Sequence, residues 1–416
     1  MYEDGLASRG QPARDRLWGD AARRGIDRAV LRSLAKALRT RGVGSVQLAL
    51  PSGEFATLGS SGPSREVRLT INRYRALWSV FRGGSLGFAE RYMAGDIDVP
   101  DLVALFDFYV ENEQLLTAAI PSIEVTRGRD RLFHSKRSNT RDGSRRNIAA
   151  HYDLGNDFYR FWLDASMLYS SGIFARPDAS LEEAQQTKLD RILAALELQA
   201  DQKLLEIGCG WGALAVAAAG RGALVDAITI SAHQLAEARS RTAAAGAENR
   251  VDIRFEDYRD ATGSYDRLVS IEMIEAVGEE NWPLYFGTIA DRLAPAGVAV
   301  IQAITIHEDA FARYRQNPDF IQRYIFPGGM LPTISLMQQR ATAAGLTFET
   351  VERFGSSYVL TLREWRQRFE AAWPRIEALG FDDRFRRMWL YYLTYCEVGF
   401  DRGLIDVGLY RMRKPA

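Results

Sequence analysis

The sequence predicts an α/β protein, with a doubly wound, Rossmann-like sheet behind a smaller, mostly helical N-terminal domain. Three observations carry that expectation. Short apolar segments alternate with helix-patterned ones from about residue 200 onward. The junction after the apolar segment Lys203–Ile207 is a glycine-rich turn, Gly208-Cys-Gly210-Trp-Gly212. The length, 416 residues of which 47% are hydrophobic, is more than one compact core usually serves.

From the N-terminus, the first zone runs over 1–125. Ile26, Val30, Leu34 and Leu38 recur at i+4, and Arg24, Arg28, Arg32 and Lys36 form a second i+4 row. The rows are offset by two residues, about 200° around a helix, so they face opposite ways. Such a helix either docks on its own domain with a solvated basic face or lies on a membrane surface. Ser45–Thr57 alternates like strand around a Pro51-Ser-Gly53 turn, and a helix is expected near Leu102–Leu116. A second zone, 126–146, holds eight Arg/Lys against two Asp and two glycines. It reads equally as a solvated linker and as a surface for anionic phospholipid headgroups, where each basic residue adds about 1 kcal/mol.

The third zone, 147–416, carries the doubly wound pattern. Lys203–Ile207 is a strand, Trp211–Gly220 an Ala-rich helix, Leu224–Ile230 the next strand, and Ser231 to about Ala245 the next helix. Val251–Glu256, Asp266–Ile271 and Gly297–Ile304 supply further strands. The tail is rich in aromatics, Trp365, Trp373, Trp389, Tyr391, Tyr392 and Tyr395; they suit a core better than an acyl tunnel.

Composition narrows the function. Lys+Arg and Asp+Glu balance at 53 each, so no global field draws the chain to nucleic acid. Two cysteines, Cys209 and Cys396, are too few for a disulfide framework and read as buried thiols. No Cys–His pairing has metal-ligand spacing, so no metal is expected. The opening Met1-Tyr-Glu-Asp-Gly lacks the basic start and apolar stretch of a signal peptide. No run of apolar residues approaches the roughly 20 that span a bilayer. A cytoplasmic protein, at most peripheral on the inner face of the membrane, is expected.

The turn after Lys203–Ile207 has a direct physical use. Glycines let the backbone reverse sharply and approach a ligand with no Cβ in the way, and the following helix points unpaired N–H groups at it. The third glycine comes one position too early for a dinucleotide fingerprint. Strand Leu224–Ile230 ends not in a ribose-binding carboxylate but in Thr229-Ile-Ser-Ala-His-Gln234. Both features count against a nicotinamide-dependent dehydrogenase.

Further motifs follow in order: His151-Tyr-Asp-Leu-Gly-Asn-Asp157, Leu205-Glu-Ile-Gly-Cys-Gly-Trp-Gly212 and Glu256-Asp-Tyr-Arg-Asp260. Glu272-Met-Ile-Glu-Ala-Val-Gly278, Tyr324-Ile-Phe-Pro-Gly-Gly329 and Phe354-Gly-Ser-Ser-Tyr358 complete the set. In this combination the chain resembles the cyclopropane-fatty-acyl-phospholipid synthases and the related mycolic-acid and fatty-acyl methyltransferases. The likeness runs from about His151 to the C-terminus, and more loosely through Gly87–Leu105. It implies a class I methyltransferase with a seven-stranded sheet and S-adenosylmethionine as methyl donor. Glu206, Gly208, Gly210 and Gly212 would cradle the cofactor, with Glu206 facing its amino-acid end. Tyr169 and Ser170 would close over the methionine part. Thr229 and Gln234 would replace the missing ribose carboxylate, and Asp257 and Tyr258 would lie against the adenine.

The reaction the resemblance implies adds a methyl group to an unactivated cis double bond of an unsaturated phospholipid acyl chain. An alkene attacks the sulfonium methyl, a carbocation remains on the neighbouring carbon, and loss of a proton from the new methyl closes a cyclopropane. The site must be dry and apolar and must hold a base. The resemblance implies a bicarbonate ion as that base, with Glu275, Tyr358, Ser171, Gln302 and Ile304 at the positions that hold it. Ser171 stands where relatives often have cysteine, and Gln302 where many have histidine; both still donate hydrogen bonds. Glu275 also suits a helix N-terminus, where the dipole favours an acid, and Tyr358 suits a core tyrosine. Should the proton leave a chain carbon, a methylene- or methyl-branched chain results, the latter with a partner reductase. A homodimer, and a non-catalytic lipid- or cofactor-binding relative, stay open.

Overall fold

The computed structural model describes residues 44–59, 66–119 and 154–416. The chain divides into two compact units, Met1–Thr126 and Arg127–Ala416. The basic-striped helix expected over 24–38, the linker 126–146 and His151 lie outside the described residues.

In the first unit the alternation over Ser45–Thr57 becomes a hairpin, β1 (Ser45–Ala49) and β2 (Phe55–Gly59). The residues between form the expected turn, with Gly53 at φ +82°, a value that costs glycine nothing. β3 (Glu66–Ile71) pairs parallel to β1, and β4 (Ile97–Asp98) antiparallel to β3, so the sheet runs β2-β1-β3-β4. Helix α1 (Arg75–Met93) is broken at Gly84, and α2 (Leu102–Ala119) follows. Asp96 is wholly buried and ties α1 to β4: Arg75 donates to both its oxygens at 2.6 and 2.8 Å and Arg91 to one at 3.3 Å. The Arg75 hydrogen bond holds this carboxyl below its usual range.

The second unit is built on seven strands in the order β10-β11-β9-β8-β5-β6-β7. They are β5 (Lys203–Ile207), β6 (Leu224–Thr229), β7 (Val251–Phe255), β8 (Tyr265–Ile271), β9 (Leu293–Ile306), β10 (Thr347–Arg353) and β11 (Ile405–Arg413). The first five are parallel, and β11 and β10 add antiparallel at one edge. This is the seven-stranded sheet of a class I methyltransferase. The strand order reverses between β5 and β8, and ligands of open α/β sheets bind at the carboxyl ends beside such a point. The central strands carry apolar residues on both faces, as burial between helical layers requires. Leu204, Leu205, Leu268, Val269, Val300 and Ile301 are all 1% exposed or less.

Helices α3 (Leu181–Ala195), α4 (Ala213–Gly220) and α5 (Ala232–Ala244) flank the first strands. Ser180 and Glu183 form a reciprocal capping box on α3, and Ser231 caps α5. The aromatic tail forms two long helices, α6 (Gly355–Glu377) and α7 (Asp383–Asp401), that pack on each other. Trp365 and Trp389 are fully buried against Trp162, Phe158 and Phe369, with ring centroids 5.0–6.5 Å apart. Each such ring contributes roughly 1.5–3 kcal/mol. Core is therefore the role of most of these residues.

Candidate active site

The glycine turn begins where β5 stops. Gly208, Gly210 and Gly212 have φ of +80°, +51° and +83°, a region L side chains avoid. A Cβ on Gly208 would lie 2.5 Å from the Met273 Cγ, and one on Gly212 would lie 3.0 Å from the Ala238 Cβ. Around Gly210 nothing lies within 4 Å of that position; it is the open side of the cradle. The N–H groups of Gly208 and Cys209 both donate to the Ile228 carbonyl and pin the turn to β6. Trp211 donates its indole N–H to the Asn156 Oδ1 at 2.9 Å, which anchors Asn156 and its short helical turn to the glycine turn.

Glu206 is 3% exposed, and its Oε2 is buried without a hydrogen-bond partner. Burial pushes its carboxyl up to about 8, against the opposing Ala215 backbone amide. An orphaned acid beside an open glycine cradle fits a cationic, close-approaching ligand such as the amino-acid end of S-adenosylmethionine. At the end of β6 the Thr229 hydroxyl donates to the Gln234 Oε1 at 2.9 Å, and both residues are buried. At the end of β7 Arg259 forks onto both Asp257 oxygens at 2.8 and 2.7 Å. Tyr258 sits in the apolar cluster with its ring edge-on to Tyr285. Thus Asp257 is already engaged within the chain, and Tyr258 is largely core.

The segment over 169–172 crosses this region. The Tyr169 hydroxyl meets the Tyr392 hydroxyl at 2.8 Å, and its ring packs on Tyr159, Trp162 and Trp365. Ser170 accepts a hydrogen bond at 2.7 Å from Lys188, a fully buried lysine on α3. Burial lowers the Lys188 ammonium to about 8, against the pull of Glu272 and Asp164.

The catalytic candidates converge, but on a residue the sequence reading did not single out. The Ser171 N–H donates to the Glu272 Oε1 at 2.9 Å, and the Gln302 Nε2 donates to the same oxygen at 2.7 Å. The Tyr358 hydroxyl donates to the Glu272 Oε2 at 2.8 Å. Glu275 stands beside this group: its Oε1 accepts the Ile304 N–H, and its Oε2 is buried without a partner. Glu272 has φ +48°, a left-handed conformation that costs a non-glycine residue on the order of 1 kcal/mol. The Glu272 N–H donates to the Gln302 carbonyl at 2.8 Å, which fixes this turn against β9. The sequence does show the paired acids of Glu272-Met-Ile-Glu275, but only the second matches a site position in the resemblance. A residue's φ is not legible from its type.

The remaining motifs support the same place. The Met330 N–H donates to the Glu275 carbonyl at 2.8 Å, bringing Tyr324–Gly329 against it. Ser357 and Thr361 of α6 accept the Phe174 and Gly172 N–H groups at 3.1 Å, so the helix carrying Tyr358 also holds the segment carrying Ser171. Burial pushes the Glu275 carboxyl up to about 8, and the nearby Glu272 charge adds to the shift. Glu272 is also raised by burial, but the Ser171 amide, Tyr358, Lys188 and Gln302 all oppose this. The two acids are therefore unequal: Glu272 has the partners of a carboxylate, Glu275 those of a neutral acid. Among the described residues no group of His, Cys, Asp and Glu could hold a metal ion, and no helix is long and apolar enough to cross a membrane.

Comparison with known proteins agrees with this architecture. The family described as mycolic acid cyclopropane synthetase matches residues 139–409. The chain is 39% identical to tuberculostearic acid methyltransferase of Mycobacterium tuberculosis, over 92% of each chain. It is 35% identical to cyclopropane-fatty-acyl-phospholipid synthase of Escherichia coli K12, over 77% of this chain and 81% of that one. A crystal structure of a mycolic acid cyclopropane synthase complexed with SAH and CTAB superposes with a TM-score of 0.61 at 32% identity. That match covers 65% of this chain and 98% of the other. The chain belongs to the cyclopropane synthase family of S-adenosylmethionine-dependent methyltransferases.

Proposed function

We propose that this enzyme adds one carbon to the cis double bond of an unsaturated phospholipid acyl chain and closes a cyclopropane ring there. One observation carries the reading: a buried carboxylate held by Ser171, Gln302 and Tyr358 stands among aromatic walls beside the glycine cradle. Bound in that cradle, S-adenosylmethionine supplies an electrophilic methyl group, which a weak nucleophile such as an alkene requires. Glu206, Gly208, Gly210, Gly212, Thr229, Gln234, Tyr169 and Ser170 are the residues we assign to holding it. The rings of Tyr169, Trp162 and Trp365 exclude water and tolerate positive charge on the acyl chain. Glu272, Glu275 and Tyr358 govern the proton that leaves. The 126–146 segment, with its eight basic residues, suits anionic headgroups and would bring the chain to a membrane surface.

A second reading stops short of the ring and leaves a methylene or, with a reductase, a methyl branch. It is favoured by the likeness over 92% of the chain to a protein named as a tuberculostearic acid methyltransferase. Fragmentation mass spectrometry of lipids from a host expressing the chain separates the two. A gained CH₂ with both former alkene carbons joined to it supports the ring, and fragments that place it on one carbon support the branch. Unchanged acyl chains across all unsaturated phospholipids offered would refute both.

A further inference from the structure

We propose that the Glu272 carboxylate is itself the proton acceptor of this enzyme, standing where the resemblance would place a bicarbonate ion. The inference rests on the reading of the site as one that removes a proton from an alkylated acyl chain.

The geometry argues it in three steps. The groups expected to hold an exchangeable anion are Ser171, Gln302 and Tyr358, and each already donates to Glu272, at 2.9, 2.7 and 2.8 Å. A second anion would find those donors taken and would face the like charge of Glu272. Next, the Ile304 N–H, also expected to serve that anion, is occupied by Glu275. Finally, the backbone is bent to deliver this side chain: Glu272 holds φ +48°, where glycine would sit without strain. An ill-fitting backbone kept beside a reacting centre suggests that the side chain it carries has work there. Bicarbonate therefore does not fit the donors as they stand.

The step balances without a borrowed ion. A C–H bond of the added carbon breaks, its electron pair forms the closing C–C bond, and the proton passes to a Glu272 oxygen. Glu272 thereby becomes a carboxylic acid, and the proton leaves to solvent when the product does. Lys188, buried and electrostatically coupled to Glu272, joins Ser171, Tyr358 and Gln302 in favouring the ionised acceptor against its burial.

The test uses the full chain loaded with S-adenosylhomocysteine, with calorimetry of added bicarbonate and NMR of ¹³C-bicarbonate as readouts independent of turnover. The wild type should show no binding, and Glu272→Gly, which frees the donors and relieves φ, should bind bicarbonate. In turnover assays, wild type should be equally active with bicarbonate removed or supplied. Glu272→Gly should lose about 10²-fold without bicarbonate, a typical general-base contribution, and regain much of it at millimolar bicarbonate. Glu272→Gln, which fills the site but accepts no proton, should be inactive and beyond rescue. Bicarbonate binding to the wild type, loss of wild-type activity on its removal, or an active Glu272→Gln would each overturn the proposal. Should no lipid be turned over by any form, the functional reading fails, and the calorimetric arm still decides whether Glu272 excludes the ion.

Discussion

Glu206 is a neutral acid waiting for a cation. Its carboxyl is raised to about 8 by burial and has an orphaned oxygen. Pairing with the ammonium of S-adenosylhomocysteine would bring it back into the ionised range. Binding at pH 7 should therefore release a proton from Glu206. Calorimetry in buffers of different ionisation heat would measure it, with the release lost in Glu206→Gln; proton uptake would contradict the assignment. At this scale the sequence was informative wherever a residue type sits in a recognisable motif. Tyr358, Ser171, Gln302, Ile304 and Glu275 all come to one place. What it could not reveal was the centre of that group. Glu272 is central because of one positive φ, and an acid two positions before a short helix gives no sign of it.

Among elements, the parallel strands and their helices were legible because short apolar or alternating segments take turns with longer helix-patterned ones, bounded by turn residues. The observed bounds differ by a few residues, most at β9, which extends over Leu293–Ile306 rather than from Gly297. Strands β10 and β11 were missed for a physical reason. β10 lies at the sheet edge and is mostly exposed, so it has no apolar stripe. β11 interrupts its apolar residues with Gly408 and ends in Arg411 and Arg413, which ion-pair with Glu349 and Glu197. The turn joining β5 to α4 makes a sharper prediction. Gly212→Ala places a Cβ 3.0 Å from the Ala238 Cβ at φ +83°, and should destabilise the protein by about 1–3 kcal/mol and weaken S-adenosylhomocysteine binding. Gly220→Ala, in the same helix with nothing within 4 Å, should be neutral or stabilise by roughly 0.5–1 kcal/mol. Urea titration and calorimetry of both variants check this; equal stabilities would exclude the steric account.

Over the whole molecule, the buried acids set a pH dependence that composition conceals. Glu206 and Glu275 are both raised from 4.5 to about 8 in the folded state. Their contribution is fully present below pH 4.5 and is lost as pH rises towards 8, because the unfolded chain releases protons that the folded one keeps. Acids lowered by ion pairs, such as Asp96 and Glu197, act in the opposite sense, but only below their unfolded values of 3.8 and 4.5. Urea unfolding of the ligand-free protein should therefore show stability falling between pH 5 and 8, by up to about 1.4 kcal/mol per unit for each acid. Glu275→Gln should flatten the slope, and a rise in stability over that window would count against buried neutral acids. In the first unit's four-stranded sheet only the hairpin shows in the sequence, since β4 has just two residues and β3 pairs parallel with β1 across a gap in sequence. The aromatic shell has one more consequence, an optical one. Trp211 lies inside the glycine turn and packs on Tyr159, which touches Trp162 and Tyr169, which in turn touch Trp365 and Trp389. Indole rings this close share their excited states, so the native chain carries its own chromophore array, with one member set in the cofactor cradle and the others behind Tyr169. Intrinsic fluorescence and near-ultraviolet dichroism thus become a label-free record of that cradle filling.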